Sequence, residues 1–139
     1  MPSTLTVIDK ESLAVMSNCK MLIIPEGVVS IYDNAFMKSN LEELYLPNSL
    51  VKLSYGACAE MNYLNKVVLG ANLQSIGGEA FNFTYNIEEI ICKALVPPIC
   101  ETGRNVTFTS QVYKNTILYV PAQSIDLYKK DLFGEVLLI

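Results

Sequence analysis

The chain predicts an α/β solenoid, a short array of about four turns of 22–23 residues closed by a C-terminal α/β cap. The first observation behind this is a phrase that returns four times around the anchors Ile8, Ile31, Leu53 and Ile76, at intervals of 23, 22 and 23 residues. Three residues before each anchor stands Leu5, Val28, Leu50 or Leu73. Five after it stands Leu13, Phe36, Cys58 or Phe81, preceded by a small residue, Ser12, Ala35, Ala57 or Ala80. Self-similarity at such a period marks turns that each bury a face against the next. The second observation is that the phrase breaks after Cys92 and gives way to a different pattern, as a terminal turn that must hide apolar surface would. The third is composition. With 139 residues, 51% apolar and 17% charged, the chain suits one folded domain and is too apolar and too poor in charge for disorder.

Each turn opens on a short strand: Leu22-Ile23-Ile24-Pro25, Leu44-Tyr45-Leu46-Pro47, Val67-Val68-Leu69-Gly70, then Ile90-Ile91-Cys92. Side chains alternate along a strand, so the outer members face the core and the middle one faces away. Pro25 and Pro47 end their strands, because proline has no amide hydrogen for a ladder. A second brief strand runs through the anchor, at Val29-Ser30-Ile31, Lys52-Leu53 and Gln74-Ser75-Ile76. A compact, half-helical turn follows, in which the small residue lets neighbouring turns approach and the bulky one fills the space between them. Leu41, Leu64 and Ile87 return the chain to the next strand.

Residues 93–116 carry Pro97-Pro98 and Glu101-Thr102-Gly103-Arg104-Asn105, which read as loop. Ile117 to Pro121 repeats the strand phrase. Ser124 to Phe133 reads as an amphipathic helix with Ile125, Tyr128, Leu132 and Phe133 on one face, Ser124 as N-cap and Gly134 as C′ stop. Val136 to Ile139 reads as a last strand. The expected organisation is one domain over 1–139, with repeats over 1–92 and a capping segment over 93–139.

The phrases Leu44-Tyr45-Leu46-Pro47-Asn48-Ser49-Leu50 and Ser75-Ile76-Gly77-Gly78-Glu79-Ala80-Phe81 resemble BspA-like leucine-rich repeats. The tail is similar to the cap of such proteins from Bacteroides-type bacteria: Lys93-Ala94 and Pro97-Pro98, then Leu118 to Pro121, then Tyr128-Lys129. The resemblance covers nearly the whole chain. It departs at Cys58 in a Phe position, Gly70 in a Pro position, and Leu132-Phe133 where Trp is common. It implies a non-catalytic module, at the cell surface or secreted, that binds a host or neighbouring-cell protein or glycoprotein. It transfers no catalytic residue. The irregular first repeat, Leu5 to Leu13, suits a terminal turn or the edge of a longer array, so a structural spacer or self-assembling segment is the alternative.

Other classes lose ground on the residues themselves. The chain has no histidine, which removes Ser-His-Asp and Cys-His nucleophile pairs and the commonest metal ligand. Glu42-Glu43 and Glu88-Glu89 precede strands at the same repeat position and read as a solvated rim. No phosphate-loop motif is present, and neither a cofactor nor a metal is expected. Asn82-Phe83-Thr84 and Asn105-Val106-Thr107 match glycosylation sequons, which mean little in a bacterial protein. The net charge is −4 and the only adjacent basic pair is Lys129-Lys130, so nucleic acid is not expected as a partner. No apolar run approaches the roughly 18–20 residues needed to span a bilayer. The first residues lack the pattern of a secretory signal, which fits an intracellular protein or a segment whose leader is absent. Cys19, Cys58 and Cys92 occupy repeat positions that are otherwise apolar, as core thiols would. Cys92 and Cys100 can also bridge locally.

The partner-binding candidates are the middle residues of the strands: Ile23, Tyr45, Val68, Ile91 and, through the cap, Tyr119. An apolar and aromatic row on an outer face marks an interaction surface, with Glu43, Lys66 and Glu89 as its charged flank. Two other readings fit the same residues. β-Branched and aromatic residues favour strands in any case, and the segment after Cys92 can fold over the row. Tyr32, Tyr55, Tyr63 and Tyr85 fall on turns, at core edges or on the surface.

Overall fold

A computed structural model describes residues 4–130 and the strand Leu137–Leu138. Short strands alternate between two parallel sheets as the chain winds. β1 (Val7–Ile8), β3 (Ser30–Ile31), β5 (Lys52–Leu53), β7 (Ser75–Ile76) and β9 (Ile99–Cys100) form the anchor sheet in that order. β2 (Met21–Ile23), β4 (Glu43–Tyr45), β6 (Lys66–Leu69), β8 (Glu89–Cys92), β10 (Ile117–Tyr119) and β11 (Leu137–Leu138) form the opening-strand sheet. The anchors pair directly, Ile8 with Ile31, Ile31 with Leu53, and Leu53 with Ile76. All four anchors and the inward residues Leu44, Val67 and Ile90 are buried in one core. The β-solenoid with a small helical C-terminal cap is therefore the fold that the period implies.

The compact turns are where the backbone does something that apolar periodicity does not reveal. They are not half-helical. Glu11, Asn34, Gly56 and Glu79 have positive φ, and so do Val15, Lys38, Glu60 and Phe83. Each set recurs at one position per turn, and only one member of the eight is glycine. A left-handed non-glycine residue costs roughly 1–2 kcal/mol. The offset is a third ladder: Asn34, Phe36 and Lys38 donate their N–H groups to the carbonyls of Tyr55, Ala57 and Ala59 one turn on, at 3.0, 2.8 and 3.1 Å. Gly56, Cys58 and Glu60 donate likewise to Gly78, Ala80 and Asn82. The left-handed residues aim these amides along the stack, where the regular repeat supplies a carbonyl for each.

The proline turns are tied by side chains. The Glu26 carboxylate accepts from the backbone N–H of Asn48 and Ser49 at 2.9 and 3.0 Å, bonds that hold its pKa below the ordinary value. Gly70 fills the third proline position for a steric reason. A Cβ there would lie 2.0 Å from the Pro47 carbonyl oxygen and 2.5 Å from its carbon. Backbone cannot move aside as a side chain can. Gly70→Ala is therefore expected to cost about 1–3 kcal/mol or more in urea unfolding, with Ala71→Gly, an exposed neighbour, as the mild comparison.

The stack does not stop at Cys92. β9 pairs with β7, Ser75 against Ile99 and Ile76 against Cys100, so Cys100 is a fifth anchor. Phe81 donates its N–H to Thr107 O at 3.1 Å, as Phe36 does to Ala57 and Cys58 to Ala80. Thr107 and Phe108 thus hold the small and bulky positions, and Phe108 stacks on Phe81 with centroids 5.1 Å apart. The loop reading of residues 93–116 is corrected on this evidence. The segment holds β9, a 3₁₀ turn over Gly103–Asn105 and the helix α1 (Ser110–Asn115). The 3₁₀ turn is an insertion that shifts Phe108 out of the 22–23-residue frame.

A second 3₁₀ turn, Ala122–Ser124, leads into α2 (Ile125–Lys129). Ser124 is buried and makes no side-chain capping bond, contrary to the N-cap expected of it. Tyr128 is fully buried, while Ile125 is half-buried. The expected Leu132, Phe133, Gly134, Val136 and Ile139 positions lie outside the described residues. All four cysteines are free thiols. Cys92 Sγ lies 3.1 Å from Tyr128 Oη instead of bonding to Cys100.

Candidate interaction surface

Strand pairing in the opening-strand sheet sets which side chains share its outer face. Ile23 pairs with Tyr45, Tyr45 with Val68, Val68 with Ile91, and Ile91 with Tyr119. The five candidates thus stand in one column across five adjacent strands. Two residues earlier on the same strands, and so on the same face, run Met21, Glu43, Lys66, Glu89 and Ile117. The charged residues form a second column alongside the apolar one.

The five are not equally accessible. Ile23, on the edge strand, is 65% exposed. Tyr45, Ile91 and Tyr119 are half-buried. Val68 is only 5% exposed; it is the shortest of the row and is flanked by the larger Tyr45 and Ile91 on the neighbouring strands. Any contact it makes is as the floor between them.

The charged column shapes the tyrosine. Tyr45 Oη donates to Glu43 Oε2 at 2.5 Å, and this bond raises the phenol pKa above its ordinary value, so the hydroxyl stays protonated. Lys66 Nζ lies 6.0 Å from the Tyr45 ring centroid and 3.9 Å from Glu89 Oε2. Both contacts are at the long end of useful range and contribute little to stability. The strand register sets a ring, an ammonium and two carboxylates in a fixed order beside the apolar row.

The thiols and carboxylates of the described residues are placed as follows. Burial raises the Cys58 and Cys92 thiols above the ordinary range, so neither supplies a thiolate nucleophile. Among the described residues, no three of Cys, Asp and Glu converge on a point that would hold a metal. The Thr84 and Thr107 hydroxyls of the two sequons are buried and bonded to the Cys58 carbonyl and to the Ile76 and Gly77 carbonyls. Their role is to fasten one turn to the next.

Tyr32, Tyr55, Tyr63 and Tyr85 are all exposed. Sequence reasoning left their place open, because a turn position has no period to say which way a ring points.

A family model described as a BspA type leucine rich repeat region of six copies matches residues 1–114. No curated protein matches the chain closely enough to count as a relative. Leucine-rich repeat solenoids are typically non-enzymatic binding scaffolds, which suggests a protein–protein interaction module, and BspA-type members are usually extracellular or surface proteins. No helix among the described residues is long and apolar enough to cross a membrane. The repeat phrase, the stacked parallel strands and the extent of the match agree, and the chain belongs to the BspA-type leucine-rich repeat family.

Proposed function

We propose that the protein is a non-catalytic recognition module, secreted or held at the cell surface, that binds a protein or glycoprotein through the outer face of its opening-strand sheet. The observation that carries this reading is the in-register column of Ile23, Tyr45, Ile91 and Tyr119 over the Val68 floor, with the charged column beside it. A rigid row of aromatic and aliphatic side chains offers contact area at low entropic cost, and the adjacent charges set orientation. Residues 93–116 continue the stack, and α2 brings Tyr128 onto the core at that end of the array.

The test is flow cytometry of fluorescently labelled protein on intact epithelial cells. Wild type is expected to bind saturably. Tyr45→Arg/Ile91→Arg is expected to bind at least tenfold more weakly while its circular dichroism and melting stay those of wild type. A folded double variant that binds cells as wild type does would remove this face as the site.

One observation favours a structural or self-assembling role as the second reading. β2 is an edge strand, and Val15, Met21 and Ile23 at that end are exposed. This role predicts association that rises with concentration in light scattering on a sizing column, and that Met21→Lys/Ile23→Lys on the edge strand reverses.

A further inference from the structure

A second surface differs from the strand face in both place and chemistry. It is a groove of about 420 Å³ at the N-terminal ends of β6 and β8, within the size range of small-ligand sites. Two successive returns of the solenoid, residues 62–65 and 85–88, form its walls, and Asn115 at the end of α1 closes one side. The preceding return carries Ser39-Asn40 where these two carry Asn62-Tyr63 and Tyr85-Asn86. The aromatic rings thus enter the array only where the groove begins.

We propose that this groove binds a neutral carbohydrate, a short run of pyranose rings. Tyr63 and Tyr85 are 59% and 45% exposed, large for aromatic rings on a rigid scaffold. Phe83 packs edge-on against Tyr85 at 6.0 Å between centroids and limits its swing. An exposed aromatic face suits the C–H face of a sugar ring, which is the one apolar surface a pyranose has. Around the rings stand carboxamides. Asn86 Nδ2 donates to Asn62 O at 2.6 Å and joins the two walls. Among the described residues the side-chain amides of Asn62, Asn65 and Asn115 have no protein partner. Each amide both donates and accepts, as each sugar hydroxyl does, so vicinal hydroxyls can be met in pairs.

The backbone beneath is fixed. Asn65 donates to Glu42 O at 2.9 Å, Glu88 to Asn65 O at 2.8 Å, and Ile117 to Glu88 O at 2.9 Å. The polar side chains therefore project from the strand ladder, which lowers the ordering cost of binding. Charge decides against other ligands. Among the described residues Glu88 is the only charged one in the lining and no Lys or Arg is present, so a phosphate, sulfate or carboxylate finds no counter-charge there.

The experiment is a glycan array that displays neutral and anionic oligosaccharides, followed by titration of the best neutral hit, with maltotriose, chitotriose and lactose as soluble probes in saturation-transfer NMR. At least one neutral sugar is expected to bind. Tyr63→Ala/Tyr85→Ala should weaken it at least tenfold, and Tyr63→Phe/Tyr85→Phe should keep most of the affinity because the rings remain. Both pairs are exposed, so melting is expected to stay at the wild-type value. Tyr45→Arg/Ile91→Arg is expected to leave sugar binding unchanged, so loss of cell binding in that variant tests the strand face alone. The proposal is overturned if only anionic glycans bind or none does. Undiminished binding in a folded Tyr63→Ala/Tyr85→Ala protein overturns it too, as does loss of sugar binding in Tyr45→Arg/Ile91→Arg.

Discussion

Tyr128→Ala is expected to destabilise the protein by about 3–5 kcal/mol, lowering the melting temperature on the order of 10–20 °C. Tyr128 is the largest fully buried side chain in the described structure, and α2 carries it into the common core. Two effects add. The ring leaves a cavity that rigid strands on either side cannot close. The hydroxyl also donates to Ala94 O at 2.8 Å and lies 3.1 Å from Cys92 Sγ, and both residues are buried. Tyr128→Phe separates the two. It keeps the packing and loses the bond, with an expected cost of about 1–3 kcal/mol from the orphaned carbonyl. Urea unfolding of both variants checks this. Near-neutral Tyr128→Ala would mean that α2 rests on the array without closing its core.

The position of this tyrosine shows what the sequence could and could not convey. The anchors, the inward strand residues and the alanine–phenylalanine pairs were legible because burial between identical turns forces apolar residues to recur at one spacing. The column of Ile23, Tyr45, Val68, Ile91 and Tyr119 followed from alternation along strands. How far each is covered did not follow, since the shielding of Val68 depends on the lengths of its neighbours two strands wide. The left-handed positions were hidden for a different reason. Glu79, Lys38 and Glu60 carry no glycine signature, and a ladder of inter-turn amides holds them in place instead. The Asn–Tyr groove was equally hidden, because exposed polar residues have no period to follow. Only the pairing of consecutive returns brings Tyr63 and Tyr85 to one site. The repeat match over residues 1–114 runs past Cys92, and so does the ladder.

Phe108 is where that last difference becomes measurable. If residues 93–116 were a loop draped on the surface, Phe108→Ala would fall within about 0.5 kcal/mol of wild type, as surface changes do. The structure puts Phe108 at 1% exposure, stacked on Phe81 at an interplanar angle of 12° and edge-on to Tyr113 at 6.1 Å. Phe108→Ala is therefore expected to cost about 3–5 kcal/mol, the same as Phe81→Ala in the regular repeat. The double variant adds a sharper reading. Two stacked rings are worth about 0.5–1.5 kcal/mol beyond the area they bury, so the two losses are expected to fall short of additive by about that amount in urea unfolding. Strict additivity would separate Phe108 from the phenylalanine column. Coupling would establish it as the bulky residue of a fifth turn, displaced along the sequence by the Gly103–Asn105 insertion but continuous with the others in the core.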